Sequence, residues 1–267
     1  MISKQADLIA RWQLLGFIHG VMNTDNMLLC GETIDYGPCA FMDAFNPEQV
    51  FSSIDQGGRY AYRNQPGIAH WNLSCLARAL LPLLDDEPDA AVALAQAAID
   101  EFPGQFMDAH SAGMADKLGL TGLTESDTPL VEDLFTLMAN EQLDFTLTFR
   151  QLADLANPDD SAGQLLQDFP VPDALAPWLD RWHARLAHDP QSATDRQAGM
   201  YRANPAIIPR NHQVEAVIEA AQRRGDFEPF HRLLSVLDSP HRYRSADRHY
   251  AEPPKPEEIV TRTFCGT

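Results

Sequence analysis

The sequence predicts a mainly α-helical protein with one short β-hairpin near its start. Three observations predict it. After residue 70 apolar residues recur at helical spacing, as in HWNLSCLARALLPLL (70–84) and PDALAPWLDRWHARLAH (172–188), so each segment has an apolar face. Proline stands at the start of such segments (Pro129, Pro209) and glycine after one of them (Gly225), the order in which helices begin and end. The stretch with strand character is Met27 to Ile34, two short apolar or β-branched arms about Gly31, which reads as a hairpin turning at Cys30-Gly31.

Taken in order, residues 8–18 (LIARWQLLGFI) are the end of an apolar helix or strand running into a loop at His19, and the hairpin follows. Residues 38–69 carry glycines at 57, 58 and 67 and prolines at 38, 47 and 66. They form an irregular segment of a length that is uncommon unless functional. Residues 70–84 predict a buried helix with Cys75 as a small core residue. Residues 88–102 predict an alanine-rich helix ending at Phe102-Pro103-Gly104, and 104–119 and 128–156 predict more, the last capped by Thr128 ahead of Pro129. ANPDDSAG (156–163) is turn-forming. Trp178 and Trp182 share one face of the next helix. Two further helices follow Pro209, with Asn211 as the expected cap of the first. The tail from Ser239 is proline-rich, hence extended or mobile.

The 267 residues, 45% of them hydrophobic, suffice for one large domain or two small ones. Net charge is −18, from 38 acidic and 20 basic residues. That balance argues against nucleic-acid or anionic-membrane partners, which need a basic face, but leaves open a nucleotide met through a metal ion. The N-terminus lacks a basic cluster followed by an apolar run, and no apolar stretch reaches the ~20 residues of a bilayer span. The expectation is a soluble cytoplasmic protein. The four cysteines (30, 39, 75 and 265) contain no C-x-x-C pair, so a zinc site is not expected.

The chemistry concentrates in HGVMNTDNMLLCGETIDYG (19–37). Asp25, Asn26 and Asp35 are hard oxygen donors suited to Mg²⁺ carrying a nucleotide's phosphates. A hairpin between them would fold Asp35 back beside Asn26, and Gly37 is expected to take the permissive angles of the turn that follows. His19 and Asn26, seven residues apart, with Asp35-Tyr36-Gly37, match the kinase pattern H-R-D-x-x-x-x-N followed by D-F-G. Val21 stands where that pattern has its base and cannot take a proton, so the adjacent carboxylate, Asp25, is its substitute. His19 reads as a brace for the loop.

HGVMNTDNM (19–27) and TIDYGP (33–38), followed by AFMDAF (40–45), GRYAYRNQP (58–66), NPAIIPRNH (204–212) and GDFEPFHRLLSVL (225–237), resemble the SelO family (selenoprotein O, also called YdiU). The resemblance implies a kinase-like fold that binds ATP in inverted orientation and transfers AMP to Ser, Thr or Tyr hydroxyls of proteins. It implies Asp25 as proton acceptor, Asn26 and Asp35 as ligands of Mg²⁺ (or Mn²⁺), and Asp35 near the ATP phosphates. Cys265 resembles the family's redox-active terminal residue, which in some members is disulfide-linked to the activation loop; the aligned loop position here is Ser52, and Cys39 is the only loop cysteine. The implied organisation is a kinase-like C-lobe over 1–155, a helical extension over 156–238 and an extended tail over 239–267. The first lysine is Lys4 and no glycine-rich phosphate loop precedes His19. The resemblance therefore implies a C-terminal portion without the N-lobe, expected to bind ATP poorly by itself. The alternatives to an adenylyltransferase are an atypical protein kinase and a catalytically inactive helical interaction module.

Overall fold

The structure, a computed structural model, describes residues 1–157 and 164–264. It is mainly helical, as the sequence predicts, and the sheet among the described residues has two strands. The chain divides into two compact units. One contains residues 1–40, 47–113 and the segment from Arg262; the other contains 41–46 and 114–261.

In the first unit, α1 (Ile2–Leu15) stops at Gly16, which takes the left-handed conformation (φ 68°). β1 (Phe17–Ile18) then pairs with β2 (Ala40–Phe41), a pairing between non-contiguous dipeptides that local pattern does not show. The hairpin expected at 27–34 is a single antiparallel bridge, Met27–Thr33, with a turn closed by the Gly31 N–H on the Leu28 carbonyl (3.0 Å). α1 holds both arms: Gln5 donates to the Leu28 carbonyl that also closes the turn (2.5 Å), and Trp12 Nε1 donates to Thr33 Oγ1 (3.1 Å).

α2 (Gln65–Leu84) starts earlier than the apolar pattern, with Pro66 in its first turn, and is not the buried helix expected. Its buried residues are Gln65, Ala69, Asn72 and Leu73; Leu83 is 80% exposed and Cys75 half-buried. Periodicity reveals a helix but not what covers it. α3 (Pro88–Ile99) and α4 (Glu101–Leu118) follow. Pro103-Gly104 sits inside the first turn of α4 instead of breaking the chain there, because proline's missing N–H falls among donors that a helix start leaves unused.

The second unit holds α5 (Thr128–Asn140), α6 (Phe145–Leu155), α7 (Gln164–Asp168), α8 (Ala176–Leu186), α9 (Ala193–Ala203), α10 (Asn211–Arg224), α11 (Glu228–Leu237) and α12 (Arg248–Ala251). The stretch 128–156 breaks into two helices where Gln142 takes φ 50° and Asp144 caps α6, accepting from the Leu147 N–H (2.8 Å). Capping ahead of α5 falls to Thr124 and Asp127, not Thr128. The apolar stripe that spacing predicts over 128–156 is buried at Leu134, Met138, Phe145, Phe149 and Leu152, while Leu137 is half-buried. Trp178 and Trp182 stack with centroids 6.0 Å apart, and their N–H groups reach the Leu130 and Leu118 carbonyls (2.8 and 2.9 Å). α10 ends at Gly225 in the left-handed region. Asn211 does not cap it; the Asn211 amide donates to the Phe41 carbonyl (3.4 Å). The turn read over 156–163 lies mostly outside the described residues.

Candidate active-site loop

The loop after β1 is built on buried polar contacts within the first unit. Gln65 of α2 is fully buried, accepts from the His19 N–H (3.0 Å) and donates to the Phe17 carbonyl (2.9 Å). Asn72 donates to the Met22 carbonyl (3.0 Å). Gly31 and Gly20 permit close approaches that a side chain would prevent. At φ 75° a Cβ on Gly31 would stand 2.6 Å from Lys4 Cβ, and at φ 86° one on Gly20 would stand 2.9 Å from the Pro38 carbonyl oxygen.

His19 is buried against Trp12, ring centroids 5.3 Å apart. Its Nδ1 accepts from the Val21 N–H (3.4 Å), so Nε2 carries the proton and donates to the Ile34 carbonyl (2.8 Å). The neutral imidazole thus ties the residue before Asp35 back to β1, the bracing role read from the sequence. Burial pushes the His19 pKa below the ordinary histidine value, against the opposing pull of its backbone bonds and of Asp35. An opened loop therefore binds the proton more readily than the closed one, and loop stability falls as pH drops below about 6.5. Amide exchange over residues 28–34, corrected for intrinsic rates and referenced to α6, should quicken from pH 7 to pH 5. Unchanged relative protection would refute this account of the brace.

Asp25 and Asn26 stand on a 3₁₀ turn spanning Thr24–Asn26, with Asn23 just ahead of it. Asn26 Nδ2 donates to the Val21 carbonyl (3.0 Å), which fixes the amide and leaves Oδ1 for another partner. Asp25 is exposed and has no hydrogen-bond or ion-pair partner among the described residues. Asp35 is exposed and itself adopts the left-handed conformation (φ 55°), with its Oδ1 accepting from the Gly37 N–H (3.4 Å). The permissive position is thus Asp35 rather than Gly37, a conformation that a short polar side chain tolerates better than most. The Met27–Thr33 bridge brings the chain in at Asn26 and out towards Asp35 at one end of the loop.

These donors suit a hard cation. Magnesium sites of this kind take one or two protein oxygens and complete their shell with water and substrate phosphates. No group of three or more His, Cys, Asp and Glu placed to hold a metal occurs among the described residues.

Arg59, Tyr60 and Arg63, in the irregular segment over 38–69, each make a bracing contact. Arg59 lies over Trp71 (4.7 Å), Tyr60 OH donates to Asn23 Oδ1 (2.6 Å), and Arg63 pairs with Glu48 (2.5 Å). Thr263 was not singled out at all. It forms a parallel bridge with Ser52, exchanges backbone hydrogen bonds with Phe51 and Ser53 (2.8 and 2.9 Å), and donates its hydroxyl to the Pro38 carbonyl (2.5 Å). Both are long-range contacts that no local motif encodes. Cys39 is a free thiol whose pKa burial pushes up to about 11. Cys265 lies outside the described residues.

A family model described as protein adenylyltransferase SelO matches residues 1–238. A Bradyrhizobium relative named protein nucleotidyltransferase YdiU is 55% identical over 267 residues, covering all of this chain and 54% of its own length. Relatives of the same name from Rhizobium johnstonii and Rhodopseudomonas palustris are 55% and 54% identical, with 99% and 100% of this chain and 53% and 54% of theirs covered. By name, the class to which these relatives belong is that of the protein nucleotidyltransferases. The chain belongs to the SelO family, and it spans about half the length of the curated relatives it matches.

Proposed function

We propose that this chain carries the metal- and proton-handling loop of a protein adenylyltransferase that moves AMP from ATP to Ser, Thr or Tyr hydroxyls of protein substrates. The observation that carries the reading is the pair of presented oxygens: Asn26 Oδ1, freed by the Nδ2–Val21 bond, and the Asp35 carboxylate, set by its left-handed backbone. In this reading both hold Mg²⁺, which neutralises charge on the ATP phosphates. Asp25, exposed and unpaired, accepts the proton as the substrate hydroxyl oxygen bonds to the α-phosphorus and the bond to pyrophosphate breaks. His19 stays neutral and holds the loop. In this reading residues 1–155 form the C-lobe of a kinase-like fold and residues 156–238 a helical extension of it. Phosphotransfer by an atypical kinase is disfavoured because Val21, at the position of the usual base, is buried and aliphatic.

Calorimetry with ATP and Mg²⁺, on this chain and on Asp35→Ala, tests the site. Binding should weaken at least ~10-fold in the variant, the loss of one charge-assisted contact. Equal binding would remove Asp35 from the site. Transfer is read by mass spectrometry of an acceptor protein incubated with ATP and the full-length relative. An added AMP supports the reading and an added phosphate refutes it. The residue equivalent to Asp25, changed to alanine, should abolish transfer while ATP binding persists.

A further inference from the structure

The second unit contains a concavity unrelated to this loop. It measures about 580 Å³ and opens between the end of α9 and the turn at residues 239–242. Its lining includes Arg150, Arg202 and Arg242 against one carboxylate, Asp238, in a chain whose net charge is −18. Such a local inversion of sign is a recognition feature for an anion.

The site is partly preorganised. Arg150 is buried, its NH1 donates to the carbonyls of His241 and Asn204 (3.0 and 3.3 Å), and its guanidinium lies 4.0 Å from the Tyr201 ring centroid. Asp154 stands 4.0 Å from Arg150 Nε and balances its charge, so Arg150 serves as the fixed floor. The uncompensated cations are the exposed Arg202 and Arg242, neither of which has a carboxylate partner among the described residues. His241 Nδ1 donates to the Tyr201 carbonyl (3.1 Å), and its ring is exposed. Guanidinium groups match the tetrahedral oxygens of phosphate in pairs and outperform lysine in that role.

The geometry points to a phosphate-binding site in this concavity, one that takes inorganic phosphate or the phosphate of a small phosphomonoester. The inference does not depend on the function proposed for the 19–37 loop.

Titration with inorganic phosphate at low ionic strength, followed by calorimetry and by the ¹⁵N–¹H shifts of residues 239–242, should give a Kd on the order of 1 mM or tighter. It should weaken several-fold by 0.5 M salt, because exposed charges are screened. Arg202→Glu with Arg242→Glu should weaken binding at least ~10-fold. Arg181→Glu with Arg232→Glu, an equal charge change at ion pairs elsewhere, should leave it nearly unchanged. AMP in place of phosphate separates the sources: tighter binding that the double variant abolishes marks a phosphomonoester site, and equal binding marks a free-phosphate site. No phosphate binding below ~10 mM, or equal weakening by the Arg181 and Arg232 control, would overturn the inference.

Discussion

Arg210→Met should destabilise the protein by about 3–5 kcal/mol, the cost of removing one member of a buried charge cluster. Arg210 is fully buried, with NH1 2.5 Å from Asp43 and 2.7 Å from Asp144, and NH2 3.3 Å from Asp144. Methionine would fill much of the volume but leave two carboxylates facing each other, one of them also the cap of α6. Burial already pushes the Asp43 pKa up, against the pull of Arg210, and Asp144 pushes it the same way. Without the guanidinium the Asp43 carboxyl is easier to protonate. The deficit relative to the parent should therefore shrink as pH falls towards 5. The comparison is Arg181→Met, whose pair with Asp133 is equally short (2.7 Å) but half exposed on both sides; it should change stability by less than about 1 kcal/mol. Urea denaturation of both variants at pH 7 and pH 5 decides. Equal costs would show that burial does not set the value of the Arg210 cluster.

The second large effect is a rise of stability with pH that depends on one side chain. Lys117 is buried at 3% exposure, with Nζ donating to Asn204 Oδ1 (2.8 Å) and standing 4.1 Å from the Phe149 ring centroid. No carboxylate pairs with it among the described residues. Burial pushes its pKa down to about 7. The unfolded chain keeps the proton up to about pH 10.4, so between these values the unfolded state binds one proton more. Unfolding free energy should then climb by up to about 1.4 kcal/mol per pH unit, or roughly 2–3 kcal/mol from pH 7 to pH 9, and flatten below pH 7. Lys117→Met keeps the stem on the rings and removes the titration. Its stability, measured by denaturant at pH 7, 8 and 9, should lack the rise. A parallel rise in the variant would mean that other groups cause it.

How much of this was legible in sequence depends on whether a feature is local. The α8 tryptophans and the α5–α6 stripe were readable because helical periodicity places them; motif spacing marks Asn26 and Asp35 as candidate ligands. The exposed half of α2 was not, since periodicity carries no information about what packs against a face. The Arg210 cluster joins two of the motifs on which the family resemblance rests, AFMDAF and NPAIIPRNH, yet a spacing of 167 residues shows in no window. Tyr60 was noticed without its role; Lys117 and Thr263 drew no notice. The substitution of Asp35 for Gly37 as the left-handed residue reflects a side chain small and polar enough to accept that backbone, a tendency rather than a rule.

The docking of Thr263 on Pro38 and on residues 51–53 also has a consequence for biosynthesis. The hydroxyl–carbonyl bond joins positions 225 residues apart, and contacts of such separation form only after the intervening chain exists. Translation proceeds from the N-terminus. The candidate loop is therefore made before Thr263 and gains this brace only once that residue has left the ribosome. A nascent chain stalled short of residue 263 would hold every proposed ligand while its loop lacked that clasp, so synthesis through Thr263 is itself a step in bracing the loop.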